Sequence, residues 1–193
     1  MNSSPSILLA SASPRRHELL KQLDVTFSVS AANIDESIID GETPRDYVMR
    51  MAREKALKGL EQTMGLMPAL GSDTIVLLND RILCKPESRA EAESMLQSLS
   101  GQTHHVYSSV AIALEPDNVL DTINITAVTF GDMPVDWIRH YCQSDEPMDK
   151  AGAYAVQGGT GQYIRRIEGS YSGVMGLPLF ETAELLRRAG VLI

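Results

Sequence analysis

The chain has 193 residues, 44% of them apolar and 22% charged, which is the balance of a soluble globular protein long enough for one well-packed domain or one domain with two internal lobes. Its formal net charge of −8 argues against a nucleic-acid polymer as the main partner, because such binding needs clustered Lys and Arg, and leaves open an anionic small molecule met by locally converging cations. Cys84 and Cys142 lie far apart with no CxxC spacing, so neither a disulfide framework nor a zinc site is expected, and each reads as a small buried apolar residue.

The opening MNSSPSILLA has no basic n-region, and its apolar stretch is too short for a signal peptide or a membrane span; a cytoplasmic protein is expected. A strand is predicted at 6–10, then a helix from Pro14 to about Leu23. Between them, SASPRR joins a strand to a helix N-terminus, where open backbone N–H groups, the helix dipole and the guanidinium pair Arg15 and Arg16 suit a phosphate. A plain surface turn with two solvated arginines fits the same letters. A short strand around 25–30 leads into the acidic loop ANIDES, and Thr43-Pro44 marks the start of a helix reaching about Gln62. Lys55 falls on that helix's apolar stripe of Val48, Met51, Ala52 and Ala56, so it either snorkels to the surface or points into a polar site.

Two β-rich runs meeting at Asn79-Asp80 predict a hairpin whose open end carries Asp73 and Lys85. A strict two-residue turn would set Thr74 opposite Lys85 and turn Asp73 to the other face, so a bulge or wider loop is expected if Asp73 and Lys85 are to meet. Pro86 is read as opening a helix that Gly101 stops. Residues 103–114 and 119–130 read as a second, larger hairpin, making the sheet mixed; Asn124-Ile125-Thr126, a glycosylation triplet by its letters, then belongs to a strand. Helices are predicted from Pro134 to about Gln143 and from about Pro178 to Ala189, with glycine-rich turns between. No repeat or linker divides the chain, and the whole of 1–193 is read as one domain of α/β class.

For chemistry, the candidate cations are Arg15, Arg16, Lys55, Lys85 and Lys150, and the candidate carboxylates Glu36, Asp73 and Asp149, each at the end of an element or in a loop. Taken singly, each also fits a solvated surface charge. There is no GxxxxGK[ST] motif, and GGTG at 158–161 follows no strand–helix pattern suited to dinucleotides. His104 and His105 are adjacent on a strand and point to opposite faces, so they do not share a metal; His17 and His140 read as surface residues.

The blocks LLASASPRR, IDES, AREKA, GSDTIV, KP, LSGQTHHVYS, SDEPMDKAGAYAVQG and IEGSYSGVMGLPL resemble, in order and spacing, the Maf family of nucleoside triphosphate pyrophosphatases. The resemblance runs from residue 7 to about 187. It implies a mixed α/β fold of the inosine-triphosphate-pyrophosphatase type with a cleft between two lobes. It also implies hydrolysis of a nucleoside triphosphate between the α- and β-phosphates with a divalent cation, Mg²⁺ or Mn²⁺, commonly in a homodimer. By the matching motifs, Asp73 is the proton acceptor or chiefly a metal ligand; Ser11, Arg16, Lys55 and Lys85 handle phosphates; and Glu36 with Asp73 holds the metal. A nucleotide-binding regulator of septum formation, without turnover, is the alternative that the family's associations raise.

Resemblance also bears on the base. Family members that prefer 7-methylguanosine triphosphate carry tryptophan, glutamine and glutamate where this chain has Arg15, Thr74 and Gln157. A methylated purine is cationic, so it gains from an aromatic face and a carboxylate, whereas an arginine repels it. Thr74 and Gln157 can both donate and accept hydrogen bonds to a neutral pyrimidine edge. The trio matches the branch that hydrolyses dTTP and UTP.

Overall fold

In a computed structural model, which describes residues 6–192, the first elements are β1 (Ile7–Leu9), α1 (Pro14–Lys21), β2 (Phe27–Val29) and α2 (Pro44–Gln62). They are followed by β3 (Ala69–Leu78), β4 (Arg81–Leu83), α3 (Arg89–Leu99), β5 (Thr103–Glu115) and β6 (Asn118–Phe130). The last are α4 (Val135–Tyr141), β7 (Ile164–Glu168), α5 (Tyr171–Met175) and α6 (Leu179–Arg188). Residues 1–5, on which the reading of the N-terminus partly rests, lie outside the described residues. No helix among the described residues is long and apolar enough to cross a membrane.

The strands form one sheet in the order β2-β1-β3-β5-β6-β7, with β4 paired to β3. β1 runs parallel to both β2 and β3, while the β3–β4 and β6–β7 pairs are antiparallel, so the sheet is mixed as expected. Local signals set most boundaries. The Thr43 hydroxyl accepts the N–H of Asp46 at 3.1 Å and Pro44 occupies the first turn, so α2 begins where the cap and the fixed proline φ allow. Gly101, at φ +70, ends the α3 connection in the left-handed region that glycine adopts without a Cβ penalty.

Four expectations are corrected. α3 begins at Arg89 rather than at Pro86, because the Ser88 hydroxyl accepts the N–H of Glu91 at 3.2 Å and acts as the cap. The β3–β4 hairpin is a strict two-residue turn with Leu78 opposite Arg81; Asn79 and Asp80, at φ 48 and 62, give its twist, and the pairing runs to Val76 opposite Leu83 without a bulge. Cys142 is buried but Cys84 is exposed, since it lies just past the end of β4. β7 and the short α5 occupy a segment read as turns.

By contacts the chain divides into two units. The first takes the described residues up to Asp73, Ser108–Asn124, and those from Gly176 onward; the second takes Thr74–Tyr107 and Ile125–Met175. In the first unit α2 lies on β1, β3 and β5 through Ala52, Ala56 and Leu60 against Leu8, Ala69, Ala111 and Ala113. Five of these seven are alanines, and the approach is correspondingly close. A Cβ on Gly71 would stand 2.3 Å from the Ala52 carbonyl oxygen and 2.4 Å from the Ala56 nitrogen. In the second unit the core gathers Leu96, Leu99, Val128, Phe130 and Ile138, with His104 buried beside Phe130 and Tyr154 at ring separations of 5.3 and 5.4 Å.

Candidate functional site

The first unit assembles its charged cluster from three segments. Gly71 brings strand β3 against the backbone of α2, and Asp73, two residues on, shares its face of the strand. Lys55 emerges from α2 at that contact and is 7% exposed, yet its ammonium donates to Asp73 Oδ1 at 2.7 Å and pairs with Glu36 Oε1 at 2.8 Å. Of the two sequence readings of Lys55, the polar site is therefore the one realised. Its single positive charge is met by two carboxylates, so it is compensated as a buried ammonium requires.

Glu36 comes from the loop after β2, exposed, and that loop is fastened to α2. Tyr47 donates its phenol to the Glu36 carbonyl at 2.9 Å, and Arg50 donates to the Ser37 carbonyl at 3.0 Å while its fork holds both oxygens of Glu42 at 2.7 Å. The hydrogen bonds to Glu42 push the Arg50 guanidinium pKa upward. Sequence reasoning passed over Tyr47 and Arg50; their spacing from the acidic loop carries no motif.

The junction at 11–16 forms as the letters suggested. The Ser13 hydroxyl accepts the Arg16 N–H, Pro14 fills the first turn, and buried Ser11 accepts the N–H of Ser13 at 3.2 Å and a guanidinium N–H of Arg16 at 3.5 Å. Arg16 Nε donates to the Gly176 carbonyl at 2.9 Å, and the hydroxyl of fully buried Ser72 donates to the same oxygen at 3.1 Å. Burial lowers the Arg16 pKa; the charges of Asp73 and Glu36 oppose that, and Arg15 adds to it. Arg16 thus lies in the field of the two carboxylates and next to a second cation. Ser72 and Gly176 were not singled out from sequence, because a shared carbonyl 104 residues away leaves no local pattern.

Ser11, Arg16, Glu36, Lys55 and Asp73 all belong to this unit, with Arg15 half-buried on α1. Thr74, Lys85 and Gln157 belong to the second. Thr74 follows Asp73 on β3, half-buried and on the alternate face; Lys85 lies two residues past β4, exposed; Gln157 is exposed in the turn before Gly158. Lys150 donates to the Glu146 carbonyl at 2.6 Å and to Asp149 at 2.5 Å, so this pair is bound up with the 146–150 turn. Cations at Arg16 and Lys55 can take a polyanion, and a carboxylate held against them can take a proton from a water. Among the described residues no three His, Cys, Asp or Glu side chains gather as a ready-made metal cage. Glu36 and Asp73 nevertheless meet around one cationic centre, the Lys55 ammonium. Two hard-oxygen donors of that kind suit Mg²⁺ or Mn²⁺ that brings further oxygens on a bound phosphate chain.

A family model described as Maf-like protein matches residues 6–189. A protein of Escherichia coli (strain K12) named dTTP/UTP pyrophosphatase is 50% identical over 181 residues, covering 94% of this chain and 91% of that one. One of the same name from Bordetella avium (strain 197N) is 46% identical over 199 residues, covering 99% and 98%. Among solved structures, a HAM1 protein from Coxiella burnetii aligns at a TM-score of 0.46 with 21% identity, over 68% of this chain and 75% of that one.

Proposed function

The chain belongs to the Maf family, and from that premise we propose that it is a nucleoside triphosphate pyrophosphatase that cleaves dTTP and UTP between the α- and β-phosphates, releasing the monophosphate and pyrophosphate. Its relatives' names support the substrate class, and the observation that carries the chemistry is the meeting of Lys55 with Asp73 and Glu36 close to Arg16 in a single unit. In this reading Arg16 and the Ser11 hydroxyl take triphosphate oxygens at the start of α1, where the helix N-terminus adds its own favourable field. Lys55, on a flexible four-carbon stem, reaches from the carboxylates to a phosphate oxygen, and Lys85 supplies a further cation. Asp73 accepts the proton of the water that attacks phosphorus, or orients that water.

Glu36 and Asp73 would hold Mg²⁺ or Mn²⁺, which would neutralise charge on the phosphate oxygens as the leaving pyrophosphate forms. Arg15, Thr74 and Gln157 select the base. We place the activity in the cytoplasm, where nucleoside triphosphates are made and used, and in a homodimer, as the family resemblance suggests; light scattering of the purified protein tests the latter. The decisive experiment is incubation with dTTP and Mn²⁺ followed by assay for pyrophosphate and dTMP. Nucleotide binding without release of pyrophosphate would favour a regulator over an enzyme.

A further inference from the structure

Gln157 sits in a turn whose backbone is held unusually firmly. Ala155 closes it from within: its carbonyl accepts the N–H of Gly158 at 3.0 Å and the hydroxyl of buried Thr160 at 2.8 Å. From outside the turn comes one carboxylate. Glu146 Oε1 accepts the N–H of Gly159 at 3.2 Å and the phenol of Tyr141 at 2.9 Å. A Cβ on Gly158 would lie 1.7 Å from that same oxygen, so the carboxylate fills the space where a side chain would begin.

Glu146 is itself anchored. Its carbonyl takes the Lys150 ammonium at 2.6 Å, its N–H donates to the Ser144 hydroxyl at 3.3 Å, and Tyr141 is a buried residue of α4 stacked on Trp137 at 5.0 Å. The carboxylate is therefore a strut from the core of the second unit to the backbone immediately after Gln157.

We propose that Glu146 is a positioning residue for base selection: by pinning Gly158 and Gly159 it pre-orients the Gln157 amide toward the edge of a pyrimidine. This rests on the assignment of dTTP and UTP as substrates and of Gln157 to the base. The physical reason is entropic. A turn that is already ordered need not be ordered by the ligand, and the gain goes only to a base that hydrogen-bonds the amide. A 7-methylguanine, whose cationic ring is better met by a carboxylate than by a neutral amide, gains less.

The test compares the parent, Glu146→Ala and Glu146→Gln for kcat/KM on dTTP and 7-methyl-GTP, with thermal melts alongside. Glu146→Ala is expected to lower the dTTP to 7-methyl-GTP ratio about fivefold, the scale of one hydrogen bond, with the loss carried in KM for dTTP. Glu146→Gln keeps an oxygen for Gly159 and Tyr141 and is expected to restore the parental ratio. Tyr141→Phe removes only the phenol oxygen and reads the same strut in a protein with an intact core; about a twofold fall in the ratio is expected. A parental ratio in both Glu146→Ala and Tyr141→Phe overturns the proposal, as does an equal loss on both substrates, which marks a purely structural effect. Those outcomes in an enzyme that turns over dTTP sink this proposal alone, whereas a parent with no dTTP turnover sinks the substrate assignment and this proposal with it.

Discussion

The ammonium of Lys55 stands between two carboxylates from different segments, 2.7 Å from Asp73 Oδ1 and 2.8 Å from Glu36 Oε1, at a point where α2 and β3 are as close as their backbones permit. Two of these three charges are almost fully enclosed, with side-chain exposures of 9% for Lys55 and 12% for Asp73. Removing one member therefore changes both chemistry and stability, and the two effects can be separated.

Asp73→Asn keeps the side-chain volume and leaves Lys55 its pairing with Glu36, so the fold is expected to persist. Pyrophosphate release from dTTP is expected to fall by about 10²–10⁴ in kcat, the usual loss on removing a general base. Turnover and circular dichroism on the same sample check this. Near-parental kcat would remove Asp73 from both of its proposed roles.

Lys55→Met leaves Asp73 buried without its partner, a change that costs on the order of 3 kcal/mol where a buried pair is broken. The double variant Lys55→Met with Asp73→Asn removes the orphaned charge and is expected to recover part of that loss. Urea unfolding of the four proteins completes the cycle. Strictly additive losses would mean that the two groups do not interact in solution.

His104 gives the second unit its own pH response. Burial, with a smaller contribution from His105, lowers its pKa to about 3, while the ring Nε2 shares a hydrogen bond with the Tyr154 phenol at 2.8 Å and Nδ1 has no partner among the described residues. In the unfolded chain a histidine titrates near 6.5. The neutral ring is thus favoured by folding, the unfolded state binds the extra proton, and the stability from this group is complete above about pH 6.5. It falls as pH drops toward 3, with a limiting slope of about 1.4 kcal/mol per pH unit. Denaturant midpoints at pH 7, 6, 5 and 4 for the parent and for His104→Gln are expected to diverge in slope over that window; parallel curves would count against it.

Base choice is the prediction that rests most on individual letters. With Arg15, Thr74 and Gln157 in place of an aromatic residue, an amide and a carboxylate, kcat/KM for dTTP and UTP is expected to exceed that for 7-methyl-GTP by at least about tenfold. One assay with dTTP, UTP, CTP and 7-methyl-GTP measures it. A preference for the methylated purine would reverse the assignment.

Local signals made much of the fold legible. Thr43-Pro44 marks the first residue of α2 and the stripe from Val48 to Ala56 carries it to about Gln62, and Asn79-Asp80 places the first hairpin, because caps and positive-φ turns are short-range physics written in adjacent letters. β7 escaped for the opposite reason. IRRIE is half-exposed to exposed along its length and shows no clean alternation; only its pairing to β6, from Ala127 opposite Glu168 onward, makes it a strand. Within the cluster, Lys55 announced itself as a charge on an apolar stripe, whereas Asp73, expected at the end of an element, lies inside β3. Ser72, Gly176 and Glu146 gave no such notice, since what matters in them is a carbonyl or an acceptor reached across the fold.

Gly71 shows what such spacing means for sequence drift. It carries no charge and makes no turn, and among random changes it would pass for a tolerant strand position. Yet the smallest possible side chain would meet the Ala52 carbonyl oxygen and the Ala56 nitrogen at 2.3 and 2.4 Å, which are main-chain atoms of a helix and cannot step aside as a side chain could. Every substitution must therefore lever α2 away from β3 and part Lys55 from Asp73. In a saturation library scored for pyrophosphate release, position 71 is expected to be as intolerant as position 73, one for want of room and the other for want of a carboxylate. Drift elsewhere in the chain can then proceed while this interlocked pair of backbones stays frozen.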